Sequence, residues 1–181
     1  FILEDRLSKL GIGDPKDFCS WISTLMALIF EMKKHFAIVL QLSKPKVGLV
    51  TTCYDPEGMA FVSACKDAKV VVFDIQHGVQ GRYHPAYGSW INLPQEGYNT
   101  LPSGYWVWSE DEYSNIAAWS AKTRSHKPVL GGNLLMEQFV ERTSPLLKPF
   151  EASFEQITKK ADSRDLVLCS LQPGFVGEEH I

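Results

Sequence analysis

The chain has 181 residues, 45% of them hydrophobic and 22% charged, and carries a net charge of -3 at pH 7. That is the balance of a globular protein, long enough for one sizeable core or parts of two, and it lacks the basic footprint that binding to nucleic acid or to an anionic membrane surface calls for. Its four cysteines, Cys19, Cys53, Cys65 and Cys169, stand far apart with no C-x-x-C pair, and read as reduced core residues of a cytosolic protein.

Asp14-Pro15 supplies an N-cap followed by proline in the first helical turn. Apolar residues then recur at helical spacing from Phe18 through Ile22, Leu25, Met32 and Phe36 to Leu42, which predicts one long helix closed by Lys44-Pro45. Glu31, Lys33, Lys34 and His35 interrupt it, so it is no bilayer span, and no signal peptide precedes it. Val47 to Thr52 is a strand-type run that turns polar at Cys53, Tyr54 and Asp55. Asp55-Pro56 opens a second helix through Met59, Phe61 and Cys65. Val70 to Ile75 has the β-branching and near-continuous apolarity of a strand buried on both faces.

Pro94 to Pro102 shows no period, and strand pattern resumes at Tyr105 to Trp108. Ser109 to Glu112 has the spacing of a capping box, predicting a helix from Asp111 to about Lys122. Pro128 to Gly132 is a fourth strand, Leu134 to Val140 and Phe150 to Ala161 are helices, and Asp165 to Leu171 is a fifth strand. Strand and helix alternate four times, which argues an α/β fold, a Rossmann-like parallel sheet flanked by helices. The division expected is an amino-terminal domain over 1–133, linker helices over 134–164, and the start of a second Rossmann-like domain at 165–181. A chain that opens on Phe rather than Met and stops soon after a strand reads as a fragment of something longer.

Chemistry concentrates in Lys69 to Trp90, KVVVFDIQHGVQGRYHPAYGSW, where the strand ends in a cluster of His, Gln, Arg and Tyr. In open α/β sheets ligands bind outside the carboxyl ends of the strands. His77 sits there beside Gly78, and an imidazole titrating near neutrality can act as general base or bind a leaving-group phosphate; it can equally be a structural histidine bridging two loops. Gln76, Arg82, His84 and Tyr87 crowd the same turn as candidate substrate contacts, with Gly78 leaving room for one. Asp74 either orients His77 or caps a neighbouring helix. His77 and His84 are the only close histidines and have no third partner at metal-ligand spacing, so no metal site and no cofactor are expected. Trp90, Tyr98, Tyr105, Trp106 and Trp108 are either sugar platforms or core. Gly131-Gly132-Asn133 reads as a hinge rather than a phosphate loop.

Three blocks carry a resemblance: D-I-Q-H-G-V-Q-G-R-Y-H-P-A-Y, then L-P-S-G-Y-W-V-W-S, then V-L-G-G-N. Together they resemble the amino-terminal domain of bacterial GT-B glycosyltransferases of the surface-polysaccharide type, over roughly Lys46 to Gln172. The resemblance implies a GT-B-like fragment that holds a saccharide acceptor and faces a nucleotide-sugar donor bound mainly by a second domain, with His77 as the catalytic candidate. A lipid-linked acceptor would add peripheral association with a membrane. The non-hydrolysing sugar-nucleotide 2-epimerases share this fold, which makes an isomerase the first alternative and a noncatalytic sugar-binding module the second.

Overall fold

The computed structural model describes residues 14–142 and 144–161. The described chain separates into two units that meet between Asn133 and Leu134. The first contains helix α1 (Pro15–Ser43), strand β1 (Val47–Val50), helix α2 (Pro56–Asp67), strand β2 (Val71–Ile75), strand β3 (Gly104–Val107), helix α3 (Glu110–Ser120) and strand β4 (Lys127–Leu130). The second holds helix α4 (Leu134–Glu141), a 3-10 turn (Pro145–Leu147) and helix α5 (Lys148–Ala161). The fifth strand expected at Asp165 to Leu171, and the second domain it would begin, lie outside the described residues.

Local chemistry sets the boundaries. Asp14 accepts a hydrogen bond from the Lys16 N–H at 2.8 Å and so caps α1. The helix closes at Lys44, in left-handed conformation at φ 46°, whose N–H donates to the Leu40 carbonyl at 2.9 Å. Asp55 caps α2 from Oδ1, accepting from the Gly58 N–H at 2.6 Å, while its Oδ2 accepts from the Thr52 hydroxyl at 2.6 Å. The capping box at α3 takes another form: the Ser109 hydroxyl bonds the Glu112 carboxylate, and no side chain caps the helix at Ser109. Three acidic residues in the first turn of α3 interact favourably with its dipole instead.

The four strands form one parallel sheet in the order β1-β2-β3-β4. Each strand pairs with its neighbour in the chain, so crossovers of one hand fall on one face. On that face lie Gly48, Val72, Asp74, Tyr105 and Val107, all buried. A Cβ at Gly48 would stand 3.0 Å from Cys65 and 3.1 Å from Phe61, which is how closely α2 lies on β1. Tyr105 packs edge-on against Trp119 of α3 and against Tyr87, at centroid distances of 5.6 and 6.1 Å. The segment between β2 and β3 therefore fills the place that a crossover helix takes elsewhere. α1 lies outside this layer, with Phe36 edge-on to Phe61 of α2 at 5.3 Å.

The opposite face carries Val47, Leu49 and Val71, which are 48%, 61% and 48% exposed. Strand β2 is thus covered on one face by the described residues, where its apolar run predicts burial on both. An apolar run records that both faces are apolar and says nothing of which one this part of the chain covers. In the second unit, Phe139 of α4 meets Phe150 of α5 at 5.7 Å, and Leu147 is buried. No helix among the described residues is long and apolar enough to cross a membrane.

Candidate functional site at the carboxyl end of the sheet

Strand β2 delivers Asp74, Gln76 and His77 to three different environments, because successive residues of an extended chain point to opposite sides. Asp74 is wholly buried on the helix-covered face. Its Oδ2 accepts from the Cys53 N–H at 2.9 Å, just beyond the end of β1, and the Tyr87 hydroxyl donates to the same carboxylate at 3.2 Å. Burial raises the Asp74 pKa, and the contacts from Cys53 and Tyr87 pull it partly back. Burial pushes the Cys53 thiol and the Tyr87 and Tyr105 phenols far upward, with the Asp74 charge adding to the shift. All three therefore stay protonated around the carboxylate. Asp74 orients the β1–α2 turn and Tyr87; it makes no hydrogen bond to His77 and caps no helix among the described residues, the two roles that the sequence suggests for it.

Gln76 is buried and spent at both ends of its amide. Its Nε2 donates to the Gly78 carbonyl at 2.8 Å, and its Oε1 accepts from the Trp108 N–H at 2.7 Å. It ties the carboxyl ends of β2 and β3 together, where the sequence suggests a substrate contact. Tyr87 is likewise a brace rather than a contact surface, since it is fully buried and its carbonyl accepts from Asn115 and Trp119 of α3, each at 3.0 Å.

His77 is exposed, and a Cβ built on Gly78 would meet nothing within 4 Å, so space lies open beside it. His84 is half-buried, 4.7 Å from the Tyr87 ring and 5.6 Å from that of Tyr54, which comes from the polar end of β1. The His84 Nδ1 accepts from the Ala86 N–H at 3.1 Å, which leaves Nε2 as the ring nitrogen that can carry a proton and donate. Arg82 is exposed and paired locally, with its guanidinium 2.5 Å from the Tyr83 hydroxyl and 4.7 Å above the ring. Of the residues expected to form the site, His77, Gly78, Arg82 and His84 present themselves to solvent or half so, while Gln76 and Tyr87 hold them from beneath.

Comparison with family models, with curated proteins and with solved structures finds no match. The geometry is therefore what speaks for function. Among the described residues no group of three or more His, Cys, Asp or Glu is placed to hold a metal ion. Beside the cluster, a cavity of about 480 Å³ opens at the carboxyl ends of β1 and β2, walled by Phe36, Leu49, Phe61 and Ile75 with Thr51 and Thr52 at its polar side.

Three participants escaped the sequence reading. Cys53 and Tyr54 belong to a strand end that visibly turns polar, but their meeting with Asp74 and His84 depends on register between β1 and β2. Gln80 is buried, and neither atom of its amide has a hydrogen-bond partner. No composition or spacing signal marks it. Of the aromatic platform candidates, Tyr105 belongs to the core at zero exposure, whereas Trp106 points to the other face and donates its indole N–H to the Gly132 carbonyl at 3.0 Å.

Proposed function

We propose that this chain supplies the acceptor-side, GT-B-like domain of a glycosyltransferase that moves a sugar from a nucleotide donor to a polysaccharide or lipid-linked acceptor. The observation that carries the reading is an exposed imidazole, His77, at the carboxyl end of an inner strand of a parallel sheet. It has open space at Gly78 and a rigid support beneath it in Gln76, Asp74 and Tyr87. Such a ring can take the proton of an acceptor hydroxyl or stabilise the departing nucleotide phosphate. His84, able to donate from Nε2, adds a donor to the acceptor's surroundings. An epimerase would need carboxylates at the ligand, and the carboxylate on β2 is turned into the core.

The test is nucleotide release from a panel of nucleotide sugars in the presence of saccharide acceptors, by the full-length enzyme that contains this domain, for wild type and His77→Ala. Transfer lowered about a hundred- to ten-thousand-fold by the substitution supports the assignment. Interconversion of the donor sugar without transfer would move the protein to the epimerases. Saccharide binding with no turnover would make it a noncatalytic sugar-binding module.

A further inference from the structure

A second polar cavity, of about 310 Å³, lies at the opposite end of the sheet. It is lined by Lys66 and Lys69 at the end of α2, by Glu96, Asn99 and Ser103 from the segment before β3, and by Ser125 before β4. Val71, the first residue of β2, also lines it. At about 3.3 Å per strand residue the cavity is roughly 20 Å from His77.

Lys66 is the unusual member. Its ammonium is half-buried and donates to the Tyr98 carbonyl at 2.7 Å. Among the described residues no carboxylate lies within ion-pair distance of it, and Asp67, the next residue of α2, is taken by Lys33 at 2.6 Å. A half-buried cation without a counter-ion is costly, and burial accordingly holds its pKa down at about 8. Lys69 stands three residues on, fixed in left-handed conformation at φ 57° with its N–H on the Lys66 carbonyl at 3.0 Å. Further positive charge comes from Lys127: burial first, and then the charges of Lys66 and Lys127, disfavour protonation of His126. Glu96 is the one acidic group on the cavity wall. Ser103 accepts weakly from the Val72 N–H at 3.5 Å, which leaves its own proton to donate.

We propose that this cavity binds a small oxyanion, a sulfate- or phosphate-type group held by the Lys66 and Lys69 ammonium groups with donors from Ser103 and Asn99. The anion supplies the counter-charge that the fold withholds from Lys66. The proposal is independent of the glycosyltransferase reading, since the site and its probes require no turnover.

Sulfate is the probe, because its charge is constant from pH 7 to pH 10. Titrated at fixed ionic strength, it should raise the thermal midpoint of the wild-type protein and shift amide resonances around Lys66, Lys69, Asn99 and Ser103. Lys66→Met should weaken binding about ten- to a hundredfold, the weight of one hydrogen bond to a charged group, and Lys66→Arg should retain most of it. Affinity should fall as pH rises through 8, where the Lys66 ammonium loses its proton, with Lys69, Glu96, His126 and Lys127 the charged or titratable groups facing it. Parallel arms with inorganic phosphate, adenosine monophosphate and phosphatidylglycerol vesicles identify the source of the oxyanion. Sulfate shifts spread over the surface lysines, or absent, would overturn the proposal, as would equal sulfate affinity of wild type and Lys66→Met. Should Lys66→Met fail to fold, the wild-type resonance map and its pH dependence decide alone.

Discussion

The Tyr87 hydroxyl reaches the Asp74 carboxylate at 3.2 Å, joining the segment after β2 to the strand itself in the centre of the core. The carboxylate also serves the Cys53 N–H, so its loss strands two buried donors, whereas loss of the Tyr87 hydroxyl leaves it one partner. A stranded buried group costs about 1–3 kcal/mol. Asp74→Ala should therefore lower stability by about 2–5 kcal/mol and Tyr87→Phe by about 1–2 kcal/mol in urea unfolding. The reverse order would show that the carboxylate does not organise this core.

Gln76 and His77 are adjacent in sequence but should respond oppositely. Gln76→Ala removes the acceptor of the Trp108 N–H and should cost about 1–3 kcal/mol. His77→Ala, at an exposed position, should stay within about 0.5 kcal/mol of wild type. Thermal melts of the two variants check this, and a large loss at His77 would make it a scaffold residue.

His126 is buried with its Nδ1 on the Pro102 carbonyl at 2.7 Å and its Nε2 accepting from the Tyr98 N–H at 3.0 Å. Burial lowers its pKa, so the folded protein keeps the ring neutral while the unfolded chain takes up a proton near pH 6.5. Below about pH 6.5 the unfolded state binds more protons, and stability falls as pH falls; above it this contribution is flat. Asp74, with its raised pKa, acts in the opposite sense at lower pH, since the folded state then binds its proton first. Urea midpoints between pH 8 and pH 5 should show the decline in wild type and lose most of it in His126→Asn, whose side chain tolerates the φ of 66° at this position.

Gly131 is packed against the Trp106 ring, which a Cβ there would strike. Gly131→Ala should cost about 1–3 kcal/mol through overpacking, and much of that loss should vanish in a Trp106→Leu background. A double-mutant cycle by urea unfolding measures the coupling. An additive result would return Gly131 to the role of a hinge.

Gln80 presents the inverse case, a buried amide without a partner in a segment where Val79 and Tyr83 are 83% and 84% exposed. Exchanging it for an apolar side chain of similar size removes an unpaired polar group. Gln80→Leu should raise the thermal midpoint by a few degrees, on the order of 1 kcal/mol of stability. A lowered midpoint would mean that the amide is satisfied in solution.

Element type was legible wherever punctuation agreed with period. Asp14-Pro15, Lys44-Pro45 and Asp55-Pro56 bracket α1 and open α2 within a residue or so of the observed bounds, because caps and prolines act locally. The parallel sheet followed from alternation of strand and helix. Tertiary partners were not legible. Whether Ser109 caps the backbone or bonds Glu112 depends on a side-chain torsion, and whether Tyr105 lines a cleft or the core depends on which face the helices cover. His77 stands out in the sequence because strand ends gather ligands, while the buried duties of Gln76 and Tyr87 rest on contacts 32 and 13 residues away.

The consecutive strand order has a kinetic consequence. Between β2 and β3 the chain spends 28 residues without a helix or strand, against 20 and 19 in the crossovers that contain α2 and α3. The extra length itself adds only a few tenths of a kcal/mol to loop closure, roughly 0.3. What differs is that α2 and α3 are held by contacts local in sequence, whereas the segment from Gln76 to Ser103 is tied to the sheet by distant partners, Tyr87 on Asp74 and Tyr105 and Tyr98 on Lys66 and His126. Assembly of the sheet thus divides into a β1-α2-β2 half and a β3-α3-β4 half, each closed locally. Docking of the halves through Tyr87 is the step expected to limit the rate, and Tyr87→Phe should then retard refolding more than it speeds unfolding, which stopped-flow refolding and unfolding of the two proteins measures.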